Sequence, residues 1–262
     1  MEARPQAEDV DRSIATMSPL LDDDSLQISR EICADDAMHD YAPQLYFAAG
    51  RDALRAVRLA MLAVGLEKAE NILDFASGGG RALRWFKAAF PDAALTACDI
   101  VPHQVDFCTK EFGATGVVSH GSADELPLEG PFDLIWCGSL LTHVDDAMWT
   151  KVLSLFNRVA AHGGVIVFTA YGRLVAEMMR AGENKLNLED DQIEEALRQY
   201  DQAGFSFQPN RYDGDTLVSR QWVSSQLEKF PELDLLLYLE HGWLGQDVIA
   251  CTRAWHTYVP HS

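Results

Sequence analysis

Asp74 lies in a short apolar run, Asn71-Ile72-Leu73-Asp74-Phe75, and is followed at once by Ala76-Ser77-Gly78-Gly79-Gly80. A glycine turn after a strand lets the backbone approach a ligand closely and sets a helix N-terminus beside it. Dinucleotide sites use this geometry for a pyrophosphate, but here the third glycine of their fingerprint falls on Leu83. The acid at the strand end would also repel a pyrophosphate, so nicotinamide and flavin dinucleotides are disfavoured. A second acid, Asp99, stands 25 residues after Asp74 at the end of the next apolar run. A carboxylate there can accept hydrogen bonds from both hydroxyls of a ribose. His143 follows a further run, Phe132–Cys137, and an imidazole can take up a proton at neutral pH. Asp145, Asp146 and His120 are secondary candidates for that task.

The elements that must hold these groups alternate along the chain. Apolar spacing over residues 53–63 predicts an amphipathic helix ending near Gly65. Strands are expected at 71–75, 94–99, 116–119, 132–137 and 165–169, the third of them weak. Helices are expected after the glycine turn, from Pro102 to Phe112, and around Met148–Phe156. Such alternation implies a mostly parallel sheet with helices on both faces. After Gly172 the rhythm changes. Leu174–Met179, Asp191–Tyr200 and Arg220–Phe230 read as helices, and Gln208–Asp215 as a loop. Leu233–Glu240 and Gln246–Thr252 form a candidate antiparallel pair.

Asp74, Ala76, Gly78 and Gly80 resemble the acid and G-x-G-x-G turn of the class I, Rossmann-like S-adenosylmethionine-dependent methyltransferases. Ala76 stands where that superfamily usually has glycine, and alanine suits the position only if its φ stays negative. The resemblance extends through Gly121-Ser122-Ala123-Asp124-Glu125-Leu126-Pro127, through Trp136–His143 and through Gly163-Gly164, spanning about residues 70–170. It implies a doubly wound α/β fold with a seven-stranded, mostly parallel sheet and an antiparallel last strand, plus a helical lid insertion at about 172–216. S-adenosylmethionine (SAM) is the implied cofactor. The implied cofactor positions are Asp74, Ala76, Ser77, Gly78 and Gly80 in the turn, Asp99 with Ile100 at the ribose, and Ser122, Ala123 or Asp124 at the adenine edge. Cys137 and Gly138 fall under the methionine part. In the lead-in helix Tyr46 and Arg51 are further candidates, with Arg51 suited to the methionine carboxylate. His143 is the candidate general base. No metal is expected.

The resemblance implies methyl transfer to an oxygen or nitrogen of a small molecule, glycosides and other natural products included. A non-catalytic SAM-binding module and a protein methyltransferase are the alternatives. Trp222, Tyr212, His241, Trp243 and Gln246 are candidate acceptor-pocket residues, alongside an aromatic-core reading of each. The formal net charge of -19 argues against nucleic acid and anionic membranes as partners. Neither the Asn/Asp-Pro-Pro-aromatic run of base-methylating enzymes nor a Pro-Cys nucleophile occurs. Eleven acids and three bases fall in residues 1–40. Residues 1–30 are accordingly expected to be an acidic, mobile tail, and 31–262 a single domain. Five cysteines without a CxxC pair suggest buried free thiols rather than a disulfide framework. With no basic-apolar leader and no long apolar run, the expected location is the cytoplasm.

Overall fold

The computed structural model describes residues 23, 25–120, 122–123, 126–211 and 213–254. Most of the expected acidic tail, together with Asp124 and Tyr212, lies outside them. Two helices lead in, α1 (Ala37–Tyr41) and α2 (Pro43–Ala63). Then come β1 (Asn71–Phe75), α3 (Leu83–Ala89), β2 (Ala94–Asp99), α4 (Pro102–Phe112), β3 (Thr115–Val118) and β4 (Phe132–Cys137). A 3-10 turn at Leu140–Thr142 precedes α5 (Asp146–Val159) and β5 (Ala160–Ala170). The sheet closes with the hairpin of β8 (Leu233–Trp243) and β9 (Gln246–Arg253).

Seven strands form one sheet in the order β3-β2-β1-β4-β5-β9-β8. The first five are mutually parallel, and β9 runs antiparallel to β5. This is the doubly wound arrangement expected. Strand order reverses between β1 and β4, so a crevice opens beyond their carboxyl ends, where open α/β sheets take ligands.

Side chains of a strand alternate faces, and the two cores follow that alternation. Leu73 and Phe75 of β1 and Ile135 and Cys137 of β4 pack with Trp149, Phe156 and Val223. Ile72, Leu134 and Trp136 pack on the other face with Leu54, Leu83 and Phe86. Asp74 has the parity of Ile72, which buries a carboxylate in an apolar layer. All five cysteines are buried free thiols. Among the described residues no helix is long and apolar enough to cross a membrane.

Between β5 and β8 the chain adds α6 (Arg173–Arg180), α7 (Asp190–Ala203), β6 (Phe205–Gln208), β7 (Asp215–Val218) and α8 (Arg220–Leu227). Val175, Ala176, Met179, Leu188, Ala196 and Leu217 give α6, α7 and β7 a small core of their own. The loop expected at 208–215 is shorter than read, because β6 and β7 pair as an antiparallel hairpin. Four-residue strands are too short to display alternation, which is why the sequence hid them. The hairpin is tied back to the main sheet where the Val218 N–H donates to the Tyr171 carbonyl at 2.9 Å. That tether delivers the 214–215 corner to the end of β4.

Candidate active site

A cavity of about 190 Å³ lies in the crevice, lined by Asp36, Met38, Ala76 to Gly79, Arg81, Gly138 to Leu140 and His143. A larger groove of about 740 Å³ sits at the opposite end of the sheet, against Lys68, Glu70 and Asp92. Volume does not decide between them. Among the described residues, none of the buried side-chain atoms left without a hydrogen bond belongs to that groove's lining. Such atoms cost free energy in an empty protein and mark places where a partner belongs.

The glycine turn is braced from below. Asp99 Oδ2 accepts the Gly78 N–H at 2.7 Å, and its Oδ1 accepts the Val101 N–H at 3.0 Å. Two of the four lone-pair sites of this carboxylate thereby fix the turn, and two are left for a ligand. At Gly79 a Cβ would stand 2.3 Å from Asp36 Oδ2, so only glycine lets the lead-in segment close on the turn. Tyr46 does not line the cavity. It is buried beneath, its hydroxyl donating to Asp36 Oδ2 at 2.7 Å, and burial with that acidic neighbour pushes its phenol up.

Ala76 departs from expectation. Its φ is +61°, in the left-handed region, not negative. The turn bends there because the Ala76 and Ser77 N–H groups both donate to the Cys98 carbonyl. A non-glycine residue in that region costs about 1–2 kcal/mol, which exceeds the ~0.4–1 kcal/mol of extra unfolded-chain entropy a glycine brings. Ala76→Gly is therefore expected to raise Tm by about 1–3 °C in a thermal melt, and a lower Tm would contradict the strain. Ser139, across the cavity, also has positive φ, +67°. Its N–H donates to Thr169 Oγ1 at 2.8 Å, and its Oγ accepts from Gln246 Nε2 at 2.9 Å. Strained backbone on both walls is typical of sites where surrounding packing fixes geometry for a ligand.

Arg81 is the cation of the cavity, a position the motif reading passed over. Its guanidinium lies over the Trp243 ring, 5.0 Å from the centroid, and donates no hydrogen bond among the described residues. Arg51, expected to meet the methionine carboxylate, stands half-buried on α2 and is not in the lining. Asp74 Oδ2 is buried without a hydrogen-bond partner. Burial first, and then Asp99, push its carboxyl up to about 7, against the pull of Arg81.

The remaining expected residues are dispersed. Ile100 is 66% exposed beside Asp99, a free apolar surface next to the turn. Ser122 Oγ accepts from Lys151 Nζ at 3.4 Å, and Ala123 is buried. Cys137 is fully buried in the core below Gly138, its thiol pushed well up by burial. A Cβ on Gly138 would meet Trp243 and Trp136 atoms at 3.0 and 3.1 Å, so those indoles hold the cavity floor against bare backbone. Of the residues considered for an acceptor pocket, Trp222 stacks on Phe205 at 4.6 Å, Gln246 secures Ser139, and the His241 N–H caps Asp247. Trp243 Nε1 donates to the Ala49 carbonyl.

Residues 72–164 match the family model of a methyltransferase domain. That stretch is the chain's methyltransferase domain.

Solved structures agree in fold. A SAM-dependent methyltransferase from Clostridium acetobutylicum superposes with TM-score 0.59 at 13% identity, over 83% of this chain and 98% of its own. A sugar N-methyltransferase from Streptoalloteichus gives 0.59 at 15%, over 87% and 96%. A Burkholderia thailandensis 1,6-didemethyltoxoflavin-N1-methyltransferase gives 0.54 at 11%, over 97% and 93%. Comparison with curated proteins gives no match.

SAM is the cofactor expected of this turn, and the residues present fit it. An orphaned buried carboxylate oxygen suits the cofactor's ammonium, and Arg81 its carboxylate. The perturbed Asp74 carries a measurable consequence. Its raised pKa means the ligand-free fold holds a proton that the unfolded chain has released, so this group's contribution to stability falls as pH rises through about 7. A bound cation favours the carboxylate instead. Demethylated cofactor, which keeps the ammonium, should bind about tenfold more weakly at pH 6 than at pH 8 and release a proton on binding at pH 6. Calorimetry in buffers of different ionisation enthalpy reads both, and a flat profile would remove the role of Asp74.

Proposed function

We propose that this enzyme methylates a hydroxyl of a small, planar, largely apolar acceptor, with His143 as general base. One observation carries the reading. His143 Nδ1 lies 2.8 Å from the Gly214 carbonyl, which can only accept, so Nδ1 bears the ring proton. A neutral ring then keeps its lone pair on Nε2, and His143 belongs to the cavity wall beside the glycine turn.

When bound, SAM supplies a sulfonium methyl that passes to the acceptor oxygen as the C–S bond breaks, leaving its electron pair on sulfur. His143 Nε2 accepts the hydroxyl proton and returns it to water. Asp74 and Arg81 hold the two charged ends of the cofactor's amino-acid part, and Asp99 serves its ribose while bracing Gly78. The acceptor class comes from the mouth of the cavity. Met38 and Leu140 line it, and Tyr171 stands edge-on to His143 with centroids 6.4 Å apart. Tyr41, three residues from Met38 on α1, is 88% exposed. Apolar and aromatic surface of this kind stacks on a flat ring. The segment from α6 to β7 covers the acceptor side, since its hairpin supplies Gly214. Two of the similar enzymes are named for a sugar and for a small heterocycle, which supports a small acceptor. An acidic chain of this composition fits a cytoplasmic enzyme with no nucleic-acid partner.

The test uses methyl-labelled SAM with a panel of neutral phenols, catechol first, against amino sugars and simple amines. Labelled methyl ether from catechol supports the reading, and transfer to amines alone would overturn it.

A further inference from the structure

We propose that Asp215, at the start of β7, is the positioning residue of His143: one of its oxygens is held by Asn187 and Asn210, and the other faces the ring so that Nε2 stays turned to the cavity. The inference rests on His143 as the base of the proposed reaction and adds a residue that no motif contains.

The two oxygens of Asp215 have different surroundings. Oδ2 accepts the Asn187 N–H at 3.1 Å and Asn210 Nδ2 at 2.7 Å. Oδ1 is buried, makes no hydrogen bond, and lies 3.6 Å from His143 Nδ1. The side chain is wholly enclosed. The β6–β7 corner thus presents two acceptors to one ring nitrogen, the Gly214 carbonyl at hydrogen-bond distance and a carboxylate oxygen just behind it. Among the described residues nothing else reaches Nδ1. Around the pair stand Tyr171, edge-on to the ring, and Asp36 and Arg81 in the cavity lining. Burial pushes the Asp215 carboxyl up, while the Asn187 N–H and His143 pull it down.

This arrangement suits a ring that becomes charged. When the hydroxyl proton moves to Nε2, the imidazolium gains a full positive charge 3.6 Å from an anion already fixed in place, with no side chain left to reorganise. The insertion therefore does more than cover the acceptor, because it carries half of a charge pair to the other half on the core sheet. Thr216 Oγ1 donating to the Val144 carbonyl at 2.6 Å pins that junction one residue from each partner.

Asp215→Asn tests the claim. The Asn187 and Asn210 donors require the amide oxygen at the Oδ2 position, so the NH2 must face Nδ1. The Gly214 carbonyl still accepts the Nδ1 proton, so the tautomer is kept, but an amide donor now stands beside that N–H and pushes the ring out of place. Long-range proton–nitrogen correlation on histidine-labelled protein, saturated with demethylated cofactor, reads the tautomer and the Nδ1 proton together. In the wild type the neutral ring is expected to be protonated at Nδ1 with that proton slow to exchange, and in Asp215→Asn the slow exchange is lost. With catechol as probe, kcat should fall at least tenfold while KM for SAM stays within twofold, a split that a merely structural role would not give. Unchanged Nδ1 exchange and unchanged kcat in the variant would overturn the proposal, and so would a wild-type neutral ring protonated at Nε2. If Asp215→Asn does not fold, Asp215→Glu, which keeps the charge but displaces the oxygens, should show the same loss of slow exchange, and its absence would overturn the proposal. Absence of methylated catechol counts against the acceptor reading alone, since the Nδ1 proton is measured without acceptor.

Discussion

Asp99→Ala is expected to weaken binding of demethylated cofactor by about 2–3 kcal/mol, the range for hydrogen bonds to a charged group. That is roughly thirty- to a hundred-and-fiftyfold in Kd. Two losses combine. The carboxylate's open lone pairs no longer meet the ribose hydroxyls, and the Gly78 N–H loses its 2.7 Å acceptor, so the turn beside the cavity loosens. Asp99→Asn separates them. Its amide oxygen can still accept from Gly78, but it has lost the charge and one acceptor, and an intermediate loss of about tenfold should follow. Calorimetry with a parallel melt distinguishes the contributions. A lower Tm with unchanged affinity would leave Asp99 as a brace for the turn and remove it from the ribose.

The sheet was legible because its strands are bounded by strong punctuation. Ser77–Gly80 ends β1 and Pro91-Asp92 precedes β2, so the alternation of strands and helices followed from spacing, while the seven-stranded arrangement followed from the resemblance. The glycine turn beside the cavity was legible for the same reason, since Asp74, Gly78 and Gly80 are local to it. Two features were not. Arg81 adjoins the glycines, yet a lone arginine at the start of a helix gives no sign of which way it points. Trp243, far off in sequence, decides that by offering its ring face. Asp215 is an ordinary acid in sequence. Its meaning comes from a hairpin of four-residue strands and from a contact across 72 positions to His143. The positive φ of Ala76 is not legible in sequence because alanine ordinarily avoids that region, and the paired N–H groups on the Cys98 carbonyl show why the turn imposes it.

His143→Ala should lower kcat for hydroxyl methylation about a hundredfold, within the usual range for loss of a positioned general base. The ring is fixed at one nitrogen by the Gly214 carbonyl and at one edge by Tyr171, so its remaining nitrogen has a defined place on the cavity wall. Nothing else in the lining can take a proton there equally well. Arg81 is a cation, and Asp36 is occupied by Tyr46 and by the Met38 and His39 N–H groups it caps. Affinity for demethylated cofactor should change less than twofold, because no cofactor-binding group has been removed. A residue that served only as packing would behave differently: its loss would lower Tm and raise acceptor KM while kcat fell less than tenfold. Chemical rescue provides the second check. Imidazole supplied in solution should restore part of the rate of His143→Ala, because it replaces the missing base in the cavity. A variant whose rate imidazole leaves unchanged would assign the proton transfer to another group and return His143 to a packing role.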